Sequence, residues 1–297
     1  MTTERRDVTV PTRDGITLKG WFFPAGQDEG PCVIMTPGLT TLDQHVVDNF
    51  ALEFQKAGFH ALLYEHRAFI TSDGQTFDVD PIKDQDDYLD VYDFAATLPE
   101  VDAERMAYWG SSYSGGVAIC AAAIDPRIKA VIVQAPFVSG EMQFESQMDS
   151  IPMAIQGRNQ GSGGGGGSWP FTRVFASFLY EAEIGSTDAF VPDNAASQDS
   201  QNQVGNWEEK ITPASLLRLL RFEPIKFIHR VAPRPLLMIL GEMNASVLTS
   251  HQLRAFERAQ EPKQLHVLKG CGSFGPHQGA MFEENVAVQV EFLTQNL

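Results

Sequence analysis

The tightest constraint in this chain is the stretch Gly110-Ser111-Ser112-Tyr113-Ser114-Gly115-Gly116, set between the apolar run Arg105 to Trp109 and the small-residue run Val117 to Ala123. The first run reads as a buried strand and the second as a helix. The stretch between them is then a sharp strand-to-helix turn, where small flanking residues allow backbones to approach closely and lift one hydroxyl, that of Ser112, to the top of a sheet. Ser114 stands where a second glycine is usual for such a turn. Serine is small enough to be accommodated there, and Gly115-Gly116 extend the close approach.

The surrounding sequence alternates between strand and helix signals, which predicts a mostly parallel sheet with helices on both faces. Val8 to Val10 and Ile16 to Phe23 flank the turn Arg13-Asp14-Gly15 and form a hairpin. Cys32 to Met35 is a buried strand, Val46 to Lys56 a helix closed by Gly58, and Ala61 to Tyr64 the next strand. Asp80-Pro81 is an N-cap with proline at the first helical position, and Asp84, Asp86 and Asp87 are expected to form a solvated acidic helix start rather than a metal site. Ala130 to Val133, Pro235 to Leu240 and Leu265 to Leu268 are further strands, and Ser250 to Ala259 and Glu283 to Leu293 further helices.

Between Val138 and about Pro224 the alternation stops. The expected domains are therefore a core of residues 1–137 and 225–297, interrupted by a helical cap or lid at 138–224. Phe171, Val174, Phe175, Phe178 and Leu179 recur at helical spacing in the cap, and Leu216, Leu217, Leu219 and Leu220 follow the helix start Thr212-Pro213. Trp169, Phe171 and Tyr180 are expected to line an apolar pocket under it. The Gly/Ser-rich run 161–168 has the composition of a flexible linker, native or introduced in place of another loop.

Composition narrows the partners. With 38 acidic against 22 basic residues the net charge is −16, which disfavours nucleic acid as a partner. No segment approaches the roughly 18 apolar residues of a membrane span and the start is polar, so no membrane association and a cytoplasmic location are expected. Three cysteines, Cys32, Cys120 and Cys271, predict reduced thiols rather than a disulfide framework. The histidines lack ligand spacing and no phosphate-cradling loop is present, so neither a metal nor a cofactor is expected.

A serine nucleophile needs a general base and a group to orient it. In the order serine, acid, histidine, the acid should follow the strand ending at Leu240-Gly241 and the histidine the strand ending at Leu268-Lys269. Asn244 and Ser273 stand there instead. The loss of such partners lowers turnover by about four to six orders of magnitude. Three explanations stay open: His277 replaces the missing histidine across a loop whose four residues can span about 13 Å, the two positions carry deliberate substitutions, or the chain has dropped hydrolysis. The backbone amides of Tyr113 and Leu39 are the candidate oxyanion donors.

On these residues the chain resembles the α/β-hydrolase superfamily over nearly its whole length. Tyr64 to Gly74 resembles the superfamily's Arg-Gly-Phe-Gly-x-Ser-x-Gly stretch, and Trp109 to Gly116 with Gly270 to Phe274 resembles the fungal polyketide transferase and thiohydrolase group. The resemblance implies an α/β-hydrolase fold with an inserted helical cap, a nucleophile at Ser112, the acid position at Asn244 and the histidine position at Ser273. It also implies a polyketide-like acyl substrate, presented as an ester or thioester, with delivery by a polyketide synthase carrier domain and a homodimer left open. Hydrolysis, transfer or release of that substrate is the leading expectation. Non-hydrolytic condensation or cyclisation by a degenerate site is the alternative, with a pure binding protein as a third class.

Overall fold

The computed structural model describes residues 5–26, 29–39, 41–69, 71–145, 151–160, 169–170, 210–244, 247–272, 275–277 and 279–297. A hairpin opens it: β1 (Arg6–Pro11) and β2 (Thr17–Phe23) pair antiparallel in a register that sets Pro11 against Thr17 across the expected turn. Then follow β3 (Gly30–Thr36), α1 (Thr41–Lys56), β4 (His60–Tyr64), α2 (Pro81–Ala95), β5 (Val101–Ser111), α3 (Tyr113–Ile124) and β6 (Ala130–Gln134). Past α4 (Gly140–Gln143), α5 (Ile151–Gln160), the short pair β7 (Trp169–Pro170) and β8 (Lys210–Ile211), and α6 (Pro213–Leu219), the alternation resumes with β9 (Leu236–Gly241), α7 (Thr249–Arg258), β10 (Lys263–Leu268) and α8 (Gly279–Asn296).

Eight strands form one sheet in the order β1-β2-β4-β3-β5-β6-β9-β10. β2 lies antiparallel to both β1 and β4, and every other pairing is parallel. Strands β3, β4, β6 and β9 are buried along their whole length, as a sheet covered on both faces requires. Two cores result. Tyr64, Tyr88, Tyr108 and Tyr113 belong to the core on one face, and Phe50, Trp109, Phe292 and Leu293 to that on the other. Because β3, β5, β6, β9 and β10 run parallel, the loops at their carboxyl ends gather along one edge, where open α/β sheets bind ligands.

The local start signals behave as their chemistry dictates. Asp80 accepts a hydrogen bond from the Ile82 amide with Pro81 at the first helical position, and Thr212 accepts from the Ser215 amide ahead of α6. The expectation of a solvated acidic run on α2 is corrected: only Asp86 faces water, while Asp84 and Asp87 are buried. They share a helix face with Tyr88 and Val91, three to four residues apart, and that face packs on α3 and the sheet. Both carboxyl groups are met by side chains from elsewhere. Arg67 grips Asp87 with two donors, Nε at 2.8 Å and Nη2 at 2.5 Å, and the Tyr113 hydroxyl donates to Asp84 Oδ2 at 2.5 Å.

The two ends of segment 138–224 meet. Ile225 N donates to the Val138 carbonyl at 2.8 Å, Gly140 N to the Phe222 carbonyl at 2.8 Å, and Ser139 Oγ to Glu223 Oε1 at 2.9 Å. The phenylalanine stripe of residues 171–179, Tyr180 and the run 161–168 lie outside the described residues. Among the described residues no helix is long and apolar enough to cross a membrane. The three cysteines are free and buried, and burial pushes the Cys271 thiol up to about 11.

Candidate active site

β5 ends and α3 begins without a loop between them, and Ser112 is the joint. Its φ of 53° and ψ of −119° lie where residues with a Cβ are rarely found, and its hydroxyl does not cap the helix that follows. A serine before a helix ordinarily turns its oxygen back onto the first-turn amides. Here the oxygen makes no such bond. Four backbone bonds hold the strained residue: its amide donates to the Gln134 carbonyl at 2.9 Å, and its carbonyl accepts from the amides of Phe137 at 2.8 Å, Gly115 at 3.1 Å and Gly116 at 3.4 Å. The turn is also tight enough to demand glycine on either side. A Cβ on Gly110 would lie 2.3 Å from the Ser114 carbonyl oxygen, and one on Gly116 would lie 2.4 Å from that of Phe137.

The two candidate oxyanion donors flank this joint. Tyr113 is the first residue of α3, so its amide has no partner one turn back within the helix and lies at the positive end of the helix dipole. Leu39 follows β3 in the neighbouring strand-end loop and is buried. That loop is tied to α3. Ser114 Oγ donates to the Pro37 carbonyl, and His66 Nε2 lies 2.6 Å from Ser114 Oγ and 3.0 Å from the same carbonyl oxygen. Since the serine proton goes to Pro37, the short contact requires the histidine proton on Nε2. Ser114 is therefore more than a small residue tolerated in place of glycine, because its hydroxyl is wholly engaged. The sequence marks Ser114 only as a small residue at a glycine position and does not single out His66, whose one signal is its place next to Arg67 in the Tyr64 to Gly74 stretch.

On the opposite face of the sheet a second polar group reaches the joint. The Gln134 side chain accepts from Asn285 Nδ2 at 2.6 Å, Gln289 Nε2 donates to Asn285 Oδ1 at 2.8 Å, and Trp109 Nε1 donates to Gln289 Oε1 at 2.6 Å. Asn285 also donates to the Pro276 carbonyl at 3.0 Å, which fixes the 3-10 turn Gly275–His277. The Gln134 amide nitrogen then meets the His277 ring, 3.4 Å from each ring nitrogen, while the Phe50 ring packs edge-on against that imidazole at 6.1 Å. Burial pushes the His277 imidazole down to about 4, so it is neutral at pH 7. One residue, Gln134, thus touches both the backbone of Ser112 and the ring of His277.

Asn244 sits just past β9, buried, with its Oδ1 accepting from the Val247 amide at 3.2 Å. Its loop is tied to the loop after β10: Met243 N donates to the Cys271 carbonyl at 2.8 Å, and a Cβ on Gly241 would meet the carbonyls of Cys271 and Gly272 at 2.8 Å. Ser273 itself lies outside the described residues. Ser112 and His277 share the partner Gln134, Tyr113 adjoins Ser112, and Leu39 lies two residues past the Pro37 carbonyl that Ser114 holds. No hydrogen bond joins Asn244 to Ser112 among the described residues. Among those residues no group of three or more His, Cys, Asp or Glu is placed to hold a metal ion.

Known proteins share this architecture end to end. The polyketide transferase grgF of Penicillium sp is 30% identical over 273 residues, which cover 91% of this chain and 90% of that protein. The chain belongs to the polyketide transferase and thiohydrolase family of α/β hydrolases. A thiohydrolase of Eupenicillium brefeldianum is also 30% identical, over 97% of this chain and 94% of its own. Among solved structures, the alpha/beta hydrolase GrgF from Penicillium sp. sh18 has a TM-score of 0.79 at 28% identity and covers 99% of both chains. The family model for X-Pro dipeptidyl-peptidase (S15 family) matches residues 14–159, from the hairpin turn through α5. A polyketide transferase and thiohydrolase family member of this fold is a hydrolase-like α/β enzyme, and the fold class expected from sequence is the fold observed.

Proposed function

We propose that this protein processes an acyl group of a polyketide-like small molecule, presented as an ester or thioester, by hydrolysis, transfer or release at Ser112. The observation that carries the reading is the backbone of Ser112, held at φ 53° with its hydroxyl not spent on capping the helix it precedes. Strain of this kind persists only where the surrounding structure enforces it, and it leaves an oxygen available to an incoming carbonyl. The amides of Tyr113 and Leu39 would receive the developing negative charge. His277, neutral at pH 7, would serve as proton acceptor, while Asn244 and Ser273 occupy the positions of the ordinary acid and base. Residues 138–224 would close over the site as a cap, with the substrate carried in by a synthase carrier domain. The relatives' names, polyketide transferase and thiohydrolase, support the substrate class.

A second reading has its own support. Asn244 carries an uncharged amide, whose oxygen accepts from the Val247 amide, and burial makes the His277 imidazole a weak base. A site with oxyanion donors and hydroxyls but a feeble base suits carbonyl polarisation, and so condensation or cyclisation without an acyl-enzyme. A fluorophosphonate probe read by intact mass separates the two. Acyl chemistry predicts one adduct per chain, lost in Ser112→Ala. An unlabelled wild-type protein would remove the acyl-enzyme reading and leave the cyclisation reading standing.

A further inference from the structure

His66, Asp84 and Ser114 invite comparison with a base, an acid and a nucleophile, but their hydrogen bonds exclude that role. Ser114 is fully buried, and its proton is committed to the Pro37 carbonyl. His66 Nδ1 faces Asp84 Oδ1 at 3.8 Å, at ion-pair range and beyond hydrogen-bond range. The other oxygen of Asp84 receives the Tyr113 hydroxyl at 2.5 Å. Followed outward among the described residues, the side-chain hydrogen bonds of the cluster end on two segments. Ser114 and His66 hold the carbonyl of Pro37, two residues before Leu39, and Asp84 holds the side chain of Tyr113.

We propose that His66, Asp84 and Ser114 are positioning residues that fix the amides of Leu39 and Tyr113 relative to each other, so that one buried cluster sets the geometry of the whole oxyanion hole. This rests on the reading of those two amides as the oxyanion donors. A pair of donors stabilises a developing oxyanion only when both point at one position about 3 Å away, and they lie on separate elements, the loop after β3 and the start of α3. Backbone continuity within either element does not align one with the other. The Pro37 carbonyl, accepting from an α3 hydroxyl and from His66, locks the loop to the helix. The Asp84–Tyr113 bond stops the helix start from rotating about its strained joint.

The test uses Ser114→Ala, which removes the loop bond, and Tyr113→Phe, which keeps the ring and the amide but releases Asp84. Phosphonylation of Ser112 by a fluorophosphonate is followed to saturation. In each variant the saturating rate constant is expected to fall about tenfold or more while the half-saturation concentration stays unchanged. A rate constant equal to that of the wild type, or a change in half-saturation alone, overturns the proposal even if melting temperature drops. Should the wild-type serine resist labelling, acyl chemistry at Ser112 has failed, and the cluster is judged separately by ¹⁵N relaxation at Gly38 and Leu39. Ser114→Ala is then expected to lower their order parameters from about 0.85 toward 0.6. Unchanged values overturn the proposal.

Discussion

The two polar clusters that reach Ser112 lie on opposite faces of the sheet and are made of different material. On one face, beneath α2 and α3, His66, Arg67, Asp84 and Asp87 bring ionisable groups into the core, and each meets a polar partner across a long sequence gap. On the other, beneath α8, the indole of Trp109 and the amides of Gln134, Asn285 and Gln289 carry no charge at all, and His277 is the single ionisable member. The charged cluster ends on backbone and binds segments together. The amide cluster ends on an imidazole and presents it. A charged network is costly to leave half satisfied and suits a fixed framework, whereas neutral amides hold a ring without raising its proton affinity.

The largest effect expected from testing this contrast is a gain. Introducing a titratable pair with Ser273→His and Asn244→Asp should raise hydrolysis of a p-nitrophenyl acyl ester by about four orders of magnitude, measured as kcat. No gain would mean that the loops after β9 and β10 do not deliver side chains to Ser112. A smaller effect concerns pH. His277 titrates near 6.5 when unfolded and near 4 when folded, so between these values the unfolded chain binds more protons. Its contribution to stability is whole above about pH 6.5 and is lost as pH falls toward 4, by up to about 3 kcal/mol. Chemical denaturation of wild type and His277→Phe at pH 7 and pH 4 should therefore show a smaller loss in the variant, and parallel losses would place the ring in water instead. The smallest effect is on the network itself. Gln289→Leu leaves the Trp109 Nε1 proton without its acceptor and should cost about 1–3 kcal/mol in urea unfolding, with little change in denaturant slope.

What could be read in the sequence was whatever depends on neighbours in the chain. The strand and helix alternation, the caps at Asp80-Pro81 and Thr212-Pro213, and the sharp turn at Ser112 each express their chemistry within a few residues, and each stands where expected. The site was legible only as far as the strand ends reached. Asp84 and Asp87 looked like a solvated helix start because acidic residues there suit the dipole, yet their partners Tyr113 and Arg67 lie 29 and 20 residues away. The amide cluster had no local signature, since Gln134 meets Asn285 across 151 residues and Trp109 meets Gln289 across 180. Glutamine and asparagine follow no periodic pattern that marks such a meeting in advance.

The closed stems of segment 138–224 have an evolutionary corollary. Because the two ends of this excursion are bonded to each other, and Thr212, Ser215 and Arg218 pin its later part again on Phe77, Asp78 and Val79, the contour between these ties can grow or shrink with an entropic cost of only about 0.6 kcal/mol per doubling. The strands that carry Ser112 would not sense the difference. Descendants of this chain can thus rewrite the excursion while inheriting the strained turn at Ser112 intact, so that the two parts mutate on separate schedules.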